Sequence, residues 1–251
     1  MEALAFSYQS ELRAVEKQMS EEMLFKSSSL EDLIDLSMNN LDRYLCPAVV
    51  LVASRITGQI DSKIISMASV FQYVFLAHHI HKLVTDENMT ERDRQYPVLV
   101  GDFMFGQTFL KICKADLFSY ASEFVKIIEI INEGVLMRWR LKNKEMPLKD
   151  YKIIVGKERA SLTALAGKLG GELAGLQEPY LKKIEHFGYS IGMTWAAWEE
   201  MIHTSLVREY LAEAKGAISE LEEYFPVKPL EELYDFLFHE INSNAFLANN
   251  K

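Results

Sequence analysis

Apolar positions recur along this chain at intervals of three and four residues and almost nowhere in sustained alternation. That is the period of helices with one face turned inward. Leu30, Leu33, Ile34 and Leu41 share such a face with Ser37, and Ser28 with Glu31 three residues on has the form of a capping box. Pro47 opens a short apolar helix that stops at Thr57 and Gly58. Asp61 is placed to cap the next, whose stripe runs through Ile64, Met67, Ala68, Phe71, Phe75 and Ile80. Residues 86–95 are dense in charge and read as a solvated loop, and Pro97 restarts the chain. Leu117, Tyr120, Ala121, Phe124, Ile128, Ile131, Val135 and Trp139 mark a long amphipathic helix over 117–141. Pro147 suits a first helical turn. Residues 160–175 are rich in alanine and glycine, which lets a helix approach its neighbours closely, and 180–211 reads as one further helical run. Pro226 and Pro229 bracket a turn before a last helix through Leu230, Leu233, Tyr234, Leu237 and Ile241. With no internal repeat, the pattern predicts one all-α domain over residues 1–251, built around a central core or cavity.

Composition narrows this picture a little. At 49% hydrophobic and 25% charged residues, a 251-residue chain buries a sizeable core and is not disordered. A net charge of −9 argues against non-specific nucleic-acid binding, which needs a basic surface. The longest apolar run, near residues 47–53, is too short for a transmembrane segment. The opening MEALAFSYQSELRAVEKQ has acids early and lacks the basic-then-apolar order of a signal peptide, so a cytoplasmic protein is expected. Cys46 and Cys113 lack metal-type spacing and have apolar neighbours, which predicts two buried free thiols.

Four stretches, in order, carry a resemblance. VLVGDFMFG (residues 98–106) resembles a helix of the trans-polyprenyl synthases, the head-to-tail prenyltransferases that elongate isoprenoid diphosphates. RYLCPAVVLV (43–52) looks like their GKRxRPxLxxL, ERASLTALAGKLGGELAG (158–175) like KTAxLxxxxxxxGAxxAG, and FGYSIGMTWAAWEEMIH (187–203) like the helix ending in GxAFQxxDDxxD. The likeness covers most of the chain from about residue 40 to 240. It implies the isoprenoid-synthase helical bundle around a central cavity, usually dimeric.

The resemblance also implies where the chemistry would sit. In the family, two facing aspartate clusters hold three magnesium ions that stabilise the departing pyrophosphate, and hard Mg2+ needs oxygen ligands. LAHHIH (76–81) stands where LxHDDxxD is expected. Counting from the shared His78, the first cluster falls on His79, Ile80 and Leu83; counting from Gly192, the second falls on Glu199, Glu200 and His203. The cationic clamp for diphosphate falls on Arg43, Tyr44 and Cys46, while the lysine of KTA falls on Glu158 with Lys157 one residue out of register. The family's histidine upstream of the first cluster falls on Gln72, and the paired arginines after that cluster fall on Arg92 and Arg94. Ala196 takes the place of the FQxxDD glutamine, with Trp195 and Trp198 beside it. Carboxylates are therefore missing at the first cluster and only two acids remain at the second, so ordinary prenyl transfer is expected to be lost.

Other chemistries remain open on the sequence. His78 and His81 share a helix face, and Glu200 with His203 has the Glu-x-x-His spacing of di-metal bundles, so His78, His81, Glu200 and His203 form a candidate site for zinc, iron or manganese. The plainer reading makes them hydrogen-bonded polar residues in a wet cavity. Residues 86–93 as a shifted metal site compete with a solvated loop. Phe103, Phe105 and Phe109 could line a prenyl tunnel but fit core and interface better, and Trp195 and Trp198 fit cavity filling better than ligand stacking. Asp102 is expected to keep a structural role in its helix.

The resulting expectation is a non-catalytic or regulatory subunit of a prenyl diphosphate synthase, needing no cofactor. It would act as a homodimer or as a heterodimer with a catalytic subunit. The helices with Phe103, Phe105, Phe109, Phe118, Phe124, Ile128 and Ile131 would form the interface, because they hold more apolar surface than one inward face needs. Two alternatives stand beside it: an active prenyltransferase using Mg2+ on altered ligands, with Glu199 and Glu200 helped by Asp86 or Glu87, and a protein that reuses the cavity for a transition metal or an isoprenoid ligand.

Overall fold

The most deeply placed helix has no polar face. In the computed structural model, which describes residues 7–22, 38–58, 60–84, 90–142, 144–201 and 203–248, every residue from Ser66 to His78 is buried. A helix apolar all round belongs in the middle of a bundle. Ten α-helices are described in chain order: α1 Gln9–Glu22, α2 Asn40–Arg55, α3 Ser62–Lys82, α4 Glu91–Lys114, α5 Ala121–Arg140, α6 Leu148–Val155, α7 Ser161–Leu173, α8 Tyr180–Glu200, α9 Thr204–Glu222 and α10 Lys228–Ala248. A 3-10 turn, Phe118–Tyr120, leads into α5, and a π-helical turn, Gly156–Ala160, joins α6 to α7. The all-α expectation holds, with no strand among the described residues.

The central helix α3 packs on α2 and α4, α7 lies between α2 and α8, and α9 covers α8. Asp61 starts α3 as expected, accepting from the Ile64 N–H at 2.9 Å. The small residues of α7 do what their sequence suggests. A Cβ on Gly170 would lie 2.6 Å from the Val50 carbonyl oxygen, and across the other face of α7 a Cβ on Gly188 of α8 would lie 2.3 Å from that of Thr163. Backbones therefore touch here, and the Ser54 hydroxyl donates to the Gly170 carbonyl at 2.8 Å across the same contact.

Several expected boundaries move. Pro47 does not open α2 but lies inside it, because Asn39 and Asp42 form a capping box upstream: the Asn39 side chain accepts from the Asp42 N–H and the Asp42 carboxylate from the Asn39 N–H, each at 3.0 Å. Likewise Pro97 lies inside α4, and residues 91–95 begin that helix, with Glu91, Arg94 and Gln95 exposed and Gln95 donating to Glu91 one turn back. Pro229 sits inside α10, at the second position. The run over 180–211 is two helices, broken where Met201 takes a left-handed conformation (φ 51°) and terminates α8. The helix expected through Leu30, Leu33, Ile34 and Ser37, and its Ser28–Glu31 box, lie outside the described residues. Cys46 is buried, which pushes its thiol up to about 12, but Cys113 is exposed, correcting the expectation of two buried thiols.

Candidate functional site

The C-terminal ends of α3 and α8 meet the π turn and the first turns of α2. A π turn holds more residues per turn than an α-helix. Here it puts successive residues Glu158 and Arg159 both into the interior, 1% and 6% exposed. Arg138 arrives from the last turn of α5 and Asp42 from the cap of α2.

Two guanidinium groups organise what results. Arg138 Nε lies 2.9 Å from both oxygens of Glu158, while Nη1 and Nη2 reach the two oxygens of Glu200 at 3.2 and 3.0 Å. Arg159 Nη2 lies 2.5 Å from Glu199 Oε2, and its Nη1 faces Asp42 Oδ1 at 3.6 Å. The flat of Arg159 rests 4.4 Å from the Trp195 ring centroid and 5.4 Å from that of Phe75. Lys82 Nζ stands 3.9 Å from Glu158, and burial, with Arg159 nearby, lowers its ammonium against the opposing pull of Glu158. Burial raises the Asp42 carboxyl, offset in part by Arg159, the Asn39 backbone and Glu199. Burial also holds His78 well below the ordinary imidazole value, assisted by Lys82, Arg159, His79 and His81, and its Nε2 has no hydrogen-bond partner.

The expected site residues fall into separate environments. Glu199 and Glu200 join the cluster, each taken by an arginine. His79 lies against Phe75, ring centroids 5.5 Å apart. His81 turns to α4, with Nε2 3.2 Å from the Val98 carbonyl and 3.4 Å from Asp102, which supports the structural role expected of Asp102. His203 follows α8 and sets its ring against Tyr151 at 4.9 Å. The set His78, His81, Glu200 and His203 is therefore not gathered, and among the described residues no group of three or more His, Cys, Asp or Glu could hold a metal ion. Lys157 pairs with Glu133 at 2.6 Å near the surface. Arg94 is exposed on α4, Arg43 is half-buried on α2, and the Arg92 side chain lies outside the described residues, as do Asp86 and Glu87. Gln72 ties α3 to α2 by donating to the Asp42 carbonyl at 2.9 Å.

Magnesium, which the resemblance implies, does not fit these residues. The end of α3 offers imidazoles, an ammonium and aliphatic groups, and both carboxylates at the end of α8 are already bound by guanidinium. Beneath α3, large rings fill the interior: Phe75 and Trp195 pack at 5.2 Å and Phe71 and Phe124 at 5.0 Å, all fully buried. A cavity of about 640 Å³ opens instead to the side, between the end of α3, α4 and α5. Phe105, Val135, Trp139 and Met146 form its apolar wall and Lys82, Arg138 and Lys144 its cationic one.

Sequence reasoning missed Arg138 and Arg159. The signal for Arg138 was present: Phe124, Ile127, Ile131 and Gly134 form the buried stripe of α5, and Arg138 is the next position on it.

No protein-family model matches the chain. It is 23% identical over 182 residues to heptaprenyl diphosphate synthase component 2 of Geobacillus stearothermophilus, covering 68% of this chain and 57% of that protein. It is 22% identical over 194 residues to octaprenyl diphosphate synthase of Escherichia coli, covering 73% and 59%. The match thus spans less than two thirds of the length of either relative. Among solved structures, a decaprenyl diphosphate synthase from Rhodobacter capsulatus superposes with TM-score 0.75 at 15% identity, over 93% of this chain and 96% of that one. A polyprenyl synthase from Caulobacter crescentus, complexed with calcium and isoprenyl diphosphate, gives 0.77 at 17%, over 92% and 95%. A deletion mutant of the mint heterotetrameric geranyl pyrophosphate synthase gives 0.71 at 13%, over 92% and 98%. The chain has the all-α isoprenoid-synthase fold and is a distant sequence relative of the polyprenyl diphosphate synthases.

Proposed function

We propose that this polyprenyl synthase-like chain belongs to isoprenoid biosynthesis as a non-catalytic subunit that assembles with a catalytic prenyl diphosphate synthase. One observation carries the reading: Arg138 and Arg159 occupy the carboxylates Glu200 and Glu199, the only acids left where the resemblance places metal ligands. With His79, Ile80 and Leu83 where the resemblance places the first aspartate cluster, those positions offer none of the oxygen ligands that ionisation of an allylic diphosphate needs. The runner-up, an active enzyme on altered ligands, would have to break both arginine pairs first.

The subunit role draws on the surface of α4 and α5. Val98, Leu99, Phe109 and Leu110 on α4, Val125, Leu136 and Trp139 on α5, and Phe118 between them are exposed. Of the set read from the sequence, Phe109 and Phe118 are among these. Phe124 and Ile131 belong to the core, and Phe103, Phe105 and Ile128 are half-buried against it. Apolar side chains in this number on two neighbouring helices suit a protein interface. One relative is called a component and one solved relative is heterotetrameric, in keeping with assembly from unlike chains.

The test has two arms. Purified chain with magnesium, isopentenyl diphosphate and farnesyl or geranylgeranyl diphosphate is expected to yield no elongated product. Co-expression with a catalytic polyprenyl synthase is expected to give a stable complex. Product from the chain alone would remove the reading.

The lateral cavity favours a second reading, in which the chain binds an isoprenoid or other apolar ligand. Isoprenoid alcohols would then raise the melting temperature.

A further inference from the structure

A guanidinium set between carboxylates of different helices does the electrostatic work of a divalent ion held between them. Arg159 joins Asp42 of α2 to Glu199 of α8, and Arg138 joins Glu158 of the π turn to Glu200 of α8. We propose that Arg138 and Arg159 are built-in cations: each fills the place a metal ion would take between its two carboxylates, so the chain keeps this cluster together with no metal of its own. The proposal does not depend on the subunit role.

Three features of the site support it. Glu158 is almost wholly buried, and a carboxylate so placed needs counter-charge, which Arg138, with Nε 2.9 Å from both its oxygens, and Lys82 at 3.9 Å supply together. Asp42 and Glu199 lie near enough to influence each other, and Arg159 is the cation that reaches both, with Nη1 3.6 Å from Asp42 Oδ1 and Nη2 2.5 Å from Glu199 Oε2. The faces of Trp195 and Phe75 receive Arg159 from the apolar side, a contact suited to a flat, weakly hydrated guanidinium and not to a hydrated hard ion. Four carboxylates here meet two guanidinium groups and the Lys82 ammonium, which leaves a bound divalent ion little charge to neutralise.

If guanidinium and metal ion are interchangeable at these positions, taking one away should create a need for the other. The test is thermal denaturation of the full chain in EDTA, in millimolar MgCl2 and in millimolar CaCl2. Wild type is expected to melt at the same temperature in all three. Arg138→Gln and Arg159→Gln are each expected to melt about 10 °C lower in EDTA, the scale for breaking a buried ion pair in a chain of this size. Each should recover part of that loss with magnesium or calcium, because an ion bound only by the folded state stabilises it. Arg159→Gln combined with Glu199→Gln should lose the cation response.

Trp195 supplies an independent readout, since its ring lies 4.4 Å from the Arg159 guanidinium. Terbium bound in place of that group should show tryptophan-sensitised emission in Arg159→Gln that Trp195→Phe abolishes, and none of this component in wild type. Wild type stabilised by magnesium or calcium, or showing the Trp195-dependent emission, overturns the proposal. So do arginine variants whose losses no cation reverses. The wild-type arm needs no variant to fold, and Arg138→Gln tests the second bridge separately.

Discussion

The imidazole of His81 occupies the space that any side chain at position 101 would need. A Cβ on Gly101 would lie 2.2 Å from two atoms of that ring. The glycine of the stretch VGDFMFG thus lets the end of α3 press on α4, where His81 meets the Val98 carbonyl and Asp102 and packs near Phe105. Gly101→Ala should swing the ring out and cost about 1 kcal/mol, the loss of those contacts outweighing the better helix propensity of alanine. In a His81→Ala background the same change should stabilise by up to about 1 kcal/mol, because only the propensity gain remains. Urea unfolding of the four-member cycle reads the sign reversal.

A second contrast among glycines separates packing from propensity. Gly170 faces the Val50 backbone, which cannot yield as a side-chain tip can, whereas nothing lies within 4 Å of a Cβ on Gly216. Gly170→Ala is expected to destabilise by about 2 kcal/mol or more, and Gly216→Ala in α9 to stabilise by about 0.5–1 kcal/mol. Melting temperatures moving the same way in both would contradict this account of α7.

Burial of His78 makes a pH prediction. Its folded pKa lies well below its ordinary value of 6.5, so the unfolded chain takes up the proton first as pH falls. The stability from keeping this group neutral is complete above 6.5 and declines below it, by up to about 1.4 kcal/mol per pH unit. His78→Gln should flatten that slope between about pH 6.5 and 5, as followed by denaturant midpoints across the range.

The apolar surface of α4 and α5 gives a prediction about association. Leu99 is 66% exposed and Trp139 67% exposed, so a charge at either place disturbs little inside the chain. Leu99→Asp and Trp139→Asp should each leave the unfolding free energy of the isolated chain within about 1 kcal/mol of wild type and weaken any complex at least tenfold, the loss typical of an interface hot spot. Sedimentation with and without a co-expressed synthase separates the two effects.

The helices were legible because their signals are local. The three-and-four spacing of α3 and α5, the Asp61 cap and the small residues of α7 each sit within a few turns of chain. Starts of helices were misjudged where a proline drew attention from a better signal upstream, as Pro47 did from Asn39 and Asp42. The charged cluster was harder to read because its partners are far apart: Arg138 and Glu200 are separated by 62 positions and Arg159 and Glu199 by 40. Resemblance pointed to the carboxylates, but only packing shows which cation answers each. His81 was legible as a polar residue on a helix face; that the face meets α4, away from His203, follows from the Gly101 contact.

The π turn at Gly156–Ala160 carries a consequence for length variation in this chain. A π turn stores one residue beyond the α-helical count. Deleting one residue elsewhere in a helix rotates everything beyond it by about 100° and turns its buried stripe toward solvent. A deletion within 156–160 can be absorbed as the widened turn relaxes to an α turn, with α6 and α7 both keeping their faces. What such a shortened chain would lose is the inward aim of two successive side chains, Glu158 and Arg159. The helices would survive the deletion and the arginine bridges would not.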